Sequence, residues 1–137
     1  MSLRLGFSLL VALFLSPSLW AAECAGVNYP DKDSEFGIEL KLNGLGLREA
    51  TVFAVDVYVA ALYVEKKSLD GSAIINSEGT KKLILKFVRE VPKRDISDAW
   101  SEGFRKTTGS NIEKLRTRIT KLNGWMDDMR IGSVITF

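Results

Sequence analysis

A chain of 137 residues, 46% hydrophobic and 26% charged, is long enough for one domain with one modest core. Its 19 basic and 17 acidic residues leave a formal charge of +2, which gives no electrostatic case for nucleic acid as a partner. The chain has no histidine, which removes Ser-His and Cys-His nucleophile pairs, histidine bases and histidine metal ligands together; no cofactor and no metal site is expected.

Met1 to Ala22 has the layout of an export leader. Arg4 supplies the positive start, Leu9 to Leu15 the apolar centre, Pro17 and Ser18 the break, and Ala21-Ala22 the small-residue end. Cleavage is expected after Ala21 or Ala22, although Leu19 or Trp20 then puts a large residue third before the cut. The apolar centre is too short for a comfortable membrane span, so no stable span is expected once the leader is gone; an uncleaved anchor is the alternative. The destination is the periplasm or another exported location. Cys24 is the single cysteine, so no internal disulfide forms. Glu23 stands where a lipoprotein signal needs a small residue, which leaves Cys24 an unpaired thiol able to cross-link two chains in an oxidising compartment. Oligomeric state has no signature in the sequence.

Ala25 to Ser34 reads as an extended lead-in. Phe36, Ile38, Leu40 and Leu42 then alternate with Gly37, Glu39 and Lys41, the pattern of a half-buried strand. Asn43-Gly44 is expected to turn the chain, with Gly46 adding further backbone freedom. After the lone Arg48 comes a nearly unbroken apolar run rich in Val, Phe and Tyr, expected to be a long strand at the centre of a sheet. Phe53, Val55, Val57, Val59, Ala61 and Tyr63 fall on one face of it. Val52, Ala54, Asp56, Tyr58, Ala60 and Leu62 fall on the other. Arg48 then stands at the mouth of the strand as a fixed charge beside the core, which suits an anion with an apolar tail. Asp56 is the odd residue. Either a bend or bulge lets it reach solvent, or it joins Arg48 or Tyr58 in a polar cluster in the pocket wall.

A short helix is expected around Ser72 to Asn76, a strand from Leu83 to Val91 ended by Pro92, and then two amphipathic helices. Ile96, Ala99, Trp100, Gly103 and Phe104 form the apolar stripe of the first. Ser110 and Glu113 have capping-box spacing before the second, whose stripe is Ile112, Leu115, Ile119 and Leu122. Lys114, Arg116, Arg118 and Lys121 make its other face basic, either an ordinary solvated face or a face for a membrane surface or acidic partner. A turn over Gly124 to Asp128, with Trp125 and Met126 as packing residues, leads to a last strand from Arg130 to Phe137.

The stretches LNGLGLRE and VYVAALYVE, followed by KKLILKFVREV and DISDAWSEGF, resemble the chalcone isomerase-like family in its bacterial exported branch. There a Gly-x-Gly-x-Arg turn precedes a long apolar strand ending in Leu-Tyr-x-Glu. The resemblance covers most of the chain from about Tyr29 onward. It implies an α+β fold, an open-faced sandwich in which an antiparallel sheet carries helices on one face and a cleft lies between them. It divides the chain into a leader over 1–22 and one domain over 23–137. In the family the last strand runs on into a hairpin and a helix, so the domain is expected to be incomplete at its C-terminus.

The resemblance also implies site residues. The isomerase arginine, which stabilises the attacking and developing oxyanions of flavanone ring closure, falls on Arg48. The threonine of the central strand falls on Tyr58, the tyrosine near Ile96 and the asparagine near Gly103, so three of the four positions are altered. The family more often has a basic residue where this chain has Asp56. Without oxyanion donors the dominant catalytic effect is missing. Relatives that lack isomerase activity bind fatty acids through the same arginine. Arg48 and Tyr58 are therefore the expected ligand-binding residues, with Asp56, Ile96, Trp100, Gly103 and Phe104 as possible lining. The expected function is non-catalytic binding of a small amphipathic carboxylate such as a fatty acid. The alternatives are an isomerase or intramolecular lyase acting on a phenolic, chalcone-like enone, and a scaffold or partner-binding domain. In both alternatives Arg48 has another use, as catalyst or as a salt-bridge partner of Glu49 or Asp56.

Overall fold

A computed structural model describes residues 21–50 and 54–137, the Ser110 side chain excepted. The leader expectation falls almost wholly on residues 1–20, outside the described residues, as do the placements of Val52 and Phe53. The architecture is α+β: a curled antiparallel sheet with helices on one face, as the resemblance implies. Its five strands run in the order β3 (Lys32–Glu35), β4 (Ile38–Ala50), β5 (Val55–Val64), β6 (Lys81–Phe87) and β7 (Val134–Thr136). The apolar run after Arg48 supplies β5, which is the central strand.

The lead-in is more than an extended segment. β1 (Ala21–Cys24) and β2 (Val27–Pro30) pair as a separate hairpin whose turn, Ala25-Gly26, has positive φ at both residues, 46° and 73°. Phe36-Gly37, between β3 and β4, does the same at 50° and 80°. Both show the sign pattern of a type I′ turn, which matches the twist of paired strands. Ala and Phe are unusual there because a Cβ disfavours left-handed backbone.

The hairpin lies on one face of the sheet. Its Val27 and Tyr29 are buried with Leu40, Leu42, Val59, Ala61 and Tyr63 in the larger core. Leu40, Val59 and Tyr63 are fully buried, and each such side chain stabilises by about 1.5–3 kcal/mol. The two tyrosine hydroxyls stay satisfied: Tyr29 donates to the Val59 carbonyl at 3.0 Å and Tyr63 to the Pro30 carbonyl at 2.8 Å. Burial, followed by the nearby Asp33 charge, pushes the Tyr63 phenol up to about 12.

The other face carries α2 (Lys93–Thr108) and α3 (Ile112–Trp125), joined by a 3-10 turn at Gly109–Asn111. Phe87, Ile96 and Met126 form a second core there, flanked by Trp100, Leu122 and Ile135. Short α1 (Gly71–Asn76) is capped by Asp70, which accepts from the Ser72 and Ala73 amides at 2.8 and 3.2 Å. Among the described residues no helix is long and apolar enough to cross a membrane.

The Ser110 half of the expected capping box lies outside the described side chains; Glu113 is bonded by Arg116 at 2.6 Å, and α3 starts from Asn111. One local expectation is corrected. Trp125 is 65% exposed, with the Lys121 Nζ 5.2 Å from its ring, so only Met126 packs into the core.

The largest correction is at Asn43-Gly44. The chain does not turn there; β4 runs straight through, with a bulge between Leu42 and Gly44 that leaves Asn43 without a cross-strand partner. Asn43 Oδ1 accepts from the Ser68 amide at 2.9 Å. The reversal into β5 comes after Ala50 instead. An extra residue inverts the side-chain alternation beyond it. Leu42 faces the hairpin core opposite Tyr63, whereas Gly44, Gly46 and Arg48 stand opposite Leu62, Ala60 and Tyr58 on the helix side.

Deleting Asn43 should remove the bulge but keep Leu42 opposite Tyr63 and Gly44 opposite Leu62, so Arg48 stays on the helix side. The deletion and Asn43→Ala should each cost about 0.5–1.5 kcal/mol for the lost Ser68 bond. Denaturant melts of the two variants check this, and a loss of several kcal/mol in the deletion alone would contradict it.

Lys82 bonds Asp33 and Glu35 at 2.9 and 3.0 Å, joining β6 to β3 across the curl of the sheet. The hydrogen bond from Lys82 holds the Asp33 carboxyl below its ordinary value, and the Asp33 bond holds the Lys82 ammonium above its own. The carboxylate contribution is present above the ordinary carboxyl range and is lost as pH falls through the lowered value. Lys82→Met should lower the denaturation midpoint at neutral pH and flatten the fall in stability below about pH 4. An unchanged acid limb would show that the pair contributes nothing.

Candidate ligand-binding cleft

The helix-side placement of Arg48 has a counterpart on β5. Arg48 pairs with Tyr58 but the next residue, Glu49, pairs with Asp56, so Val57 is the extra residue of a second bulge. Val57 and Tyr58 consequently both pack on the helix-side core. The same bulge turns Asp56 away, opposite Glu49 and off the face that Arg48 and Tyr58 share.

Between this part of the sheet and the start of α2 lies a cleft of about 600 Å³, within the range of small-molecule sites. Arg48, Ala50, Val57 and Tyr58 form its floor with Phe87. The segment from Arg89 to Pro92 forms one rim, and Asp95, Ile96, Ala99 and Trp100 of α2 form the wall. Tyr58 and Phe87 meet edge to face at 5.5 Å, and Trp100 meets Phe137 the same way at 5.3 Å, which fixes the aromatic walls. Pro92 starts α2 without a side-chain cap, and the Lys93 amide is instead satisfied by Asp128 Oδ1 at 2.8 Å. That bond ties the helix start to the chain leaving α3.

Arg48 is exposed, and no acid among the described residues is paired with it. Asp95, the acid on the helix wall, is bonded by Arg94 Nε and Nη2 at 3.2 and 3.1 Å. The cleft thus offers two planar forks of donors, Arg48 and Arg89, with one phenol and largely apolar walls. That arrangement can hold an anion with an apolar tail.

Of the residues singled out in the sequence, Arg48, Tyr58, Ile96 and Trp100 come together here. Three do not. Asp56 is turned off the cleft by the Val57 bulge. Gly103 and Phe104 lie beyond Trp100 on α2, past the end of the wall; Gly103 is exposed with open space around it, and Phe104 is half-buried. Sequence reasoning missed Arg89, Phe87 as floor, and Val91. The period-two series Leu83, Leu85, Phe87 points on to Arg89, and that was the signal available. A smaller concavity of about 360 Å³ lies at the opposite end of the sheet, between Lys66 and α1. Glu65, which lines it, is already bonded to the Thr80 amide at 2.6 Å. Among the described residues no group of three potential metal-binding side chains occurs.

A profile of chalcone isomerase-like proteins matches residues 21–137. No curated protein sequence matches the chain. Among solved structures, a fatty-acid binding protein of Arabidopsis thaliana superposes with a TM-score of 0.66 at 17% sequence identity. The match covers 85% of this chain and 71% of that one. At that identity the likeness is one of fold.

Proposed function

The chain belongs to the chalcone isomerase-like family, and from that premise we propose that it is an exported, non-catalytic binder of a small amphipathic carboxylate of the fatty-acid class. The carrying observation is Arg48, free of any acid among the described residues, opening on a cleft of about 600 Å³ with apolar walls. In this reading the Arg48 fork takes both carboxylate oxygens, the Tyr58 hydroxyl adds a donor, and the tail lies against Val57, Phe87, Ile96 and Trp100. The fatty-acid binding function of the Arabidopsis protein with the same fold supports the ligand class.

Binding is preferred to isomerase chemistry because of what surrounds Arg48. Ile96 lines the cleft with no polar atom on its side chain, and Gly103 lies outside it. A developing oxyanion would meet guanidinium groups and one phenol, without the further donors that the resemblance assigns to the tyrosine and asparagine positions of the isomerases.

Titration calorimetry with dodecanoate tests the proposal. Arg48→Gln should weaken binding by about 10- to 150-fold, the worth of a hydrogen bond to a charged group. Undiminished affinity in that variant would leave the scaffold reading, and time-dependent loss of chalcone absorbance would favour the isomerase.

Export rests on the layout of Met1 to Ala22 and is supported by the family match, which begins at residue 21. Ala22 pairs with Tyr29 and packs against the hairpin core, so a cut after Ala21 preserves that pairing and a cut after Ala22 removes it. N-terminal sequencing of the secreted form should read from Ala22 or Glu23. A chain that keeps Met1 and stays in the cytoplasm would refute export.

A further inference from the structure

Two guanidinium groups open on the cleft, and the reading above uses one. Arg89 lines the same cavity as Arg48 and, like it, is exposed with no acid paired to it among the described residues. Arg48 stands opposite Tyr58, Tyr58 stands opposite Phe87, and Arg89 follows Phe87 by two residues. Arg89 sits in the bend just past the end of β6, and both arginines line the one cavity.

The backbone carrying Arg89 is held on both sides. The Val88 amide donates to the Val57 carbonyl at 3.0 Å, and Val91 and Met129 exchange two bonds of 2.9 Å. Two acids share the rim. Asp95 is bonded by Arg94, and Glu90 has no cation paired to it among the described residues.

A single carboxylate has two oxygens, and one bidentate arginine occupies both. The second fork then has only the remaining lone pairs of oxygens already bonded, and a single negative charge is left to offset two positive ones. A phosphate monoester has three terminal oxygens and close to two negative charges above neutral pH. It satisfies both forks at once. Resting on the proposed role of Arg48, we infer that the cleft prefers a phosphomonoester head to a carboxylate on the same alkyl tail, with Arg89 as the residue that sets the preference.

The test compares dodecyl phosphate with dodecanoate at pH 8 by calorimetry, at concentrations where both are monomeric. The wild-type chain should bind dodecyl phosphate at least ~10-fold more tightly. Arg89→Gln should bring the two ligands within about twofold of each other, by weakening dodecyl phosphate far more than dodecanoate. Arg89→Lys, which keeps the charge without the fork, should restore part of the preference. Equal wild-type affinities, or a preference that survives in Arg89→Gln, would overturn the inference and leave the carboxylate reading standing. Failure of both ligands to bind would end both. Arg89 is exposed, and thermal melts of the two variants confirm that they remain folded.

Discussion

One unpaired residue decides where the charge of this molecule points. Alternation along a strand has a period of two, so leaving one residue out of the pairing inverts the odd-even pattern of every later position. Asn43 is that unpaired residue in β4. Before it, Leu40 and Leu42 face the hairpin core; after it, Leu45 continues to serve that core while Arg48 turns to the helices. A regular strand would drive Arg48 against Val59 and Ala61, where an unpaired charge is costly. Val57 repeats the device on β5 and gives the cleft two adjacent side chains, Val57 and Tyr58, where regular pairing supplies one.

The sheet can afford such irregularity because its faces are divided between two cores. The hairpin side holds the fully buried side chains and two tyrosines whose hydroxyls are tied to backbone carbonyls. The helix side is looser: Ile96 is the sole buried residue of α2, and α3 has none among its described side chains. Stability is concentrated on the face away from the cleft, so the ligand side can stay open without emptying the main core. Rigid elements with an adjacent cavity are the usual setting of a small-molecule site.

Much of this was legible in the chain. The valine-rich run after Arg48 read as the central strand and is β5; the stripe beginning at Ile96 read as a helix over Asp95 to Phe104, which lies within α2. Arg48 stood out because it is the lone arginine between two glycines and an apolar run. What failed has specific causes. Asn-Gly is a turn signal, yet the same backbone tolerance serves a bulge, and local sequence does not say which. The real turns use Ala25-Gly26 and Phe36-Gly37, whose first residues are poor turn formers held in place by the strands they join. Gly103 and Phe104 share the helical stripe with Trp100, but periodicity gives a face and not where along it the cleft ends. Arg89 was hidden because a charge after a strand resembles ordinary punctuation.

The link from Lys82 to Asp33 and Glu35 has a consequence for self-association. β3 is an outer strand among the described residues, and all four of its residues, Lys32, Asp33, Ser34 and Glu35, are polar. Lys82 pulls two of their carboxylates inward over the curl, and Lys32 is engaged by Glu39 at 3.0 Å. A neighbouring polypeptide approaching that border meets fixed charges on a strand already bent away, so templated growth of the sheet is blocked on this side.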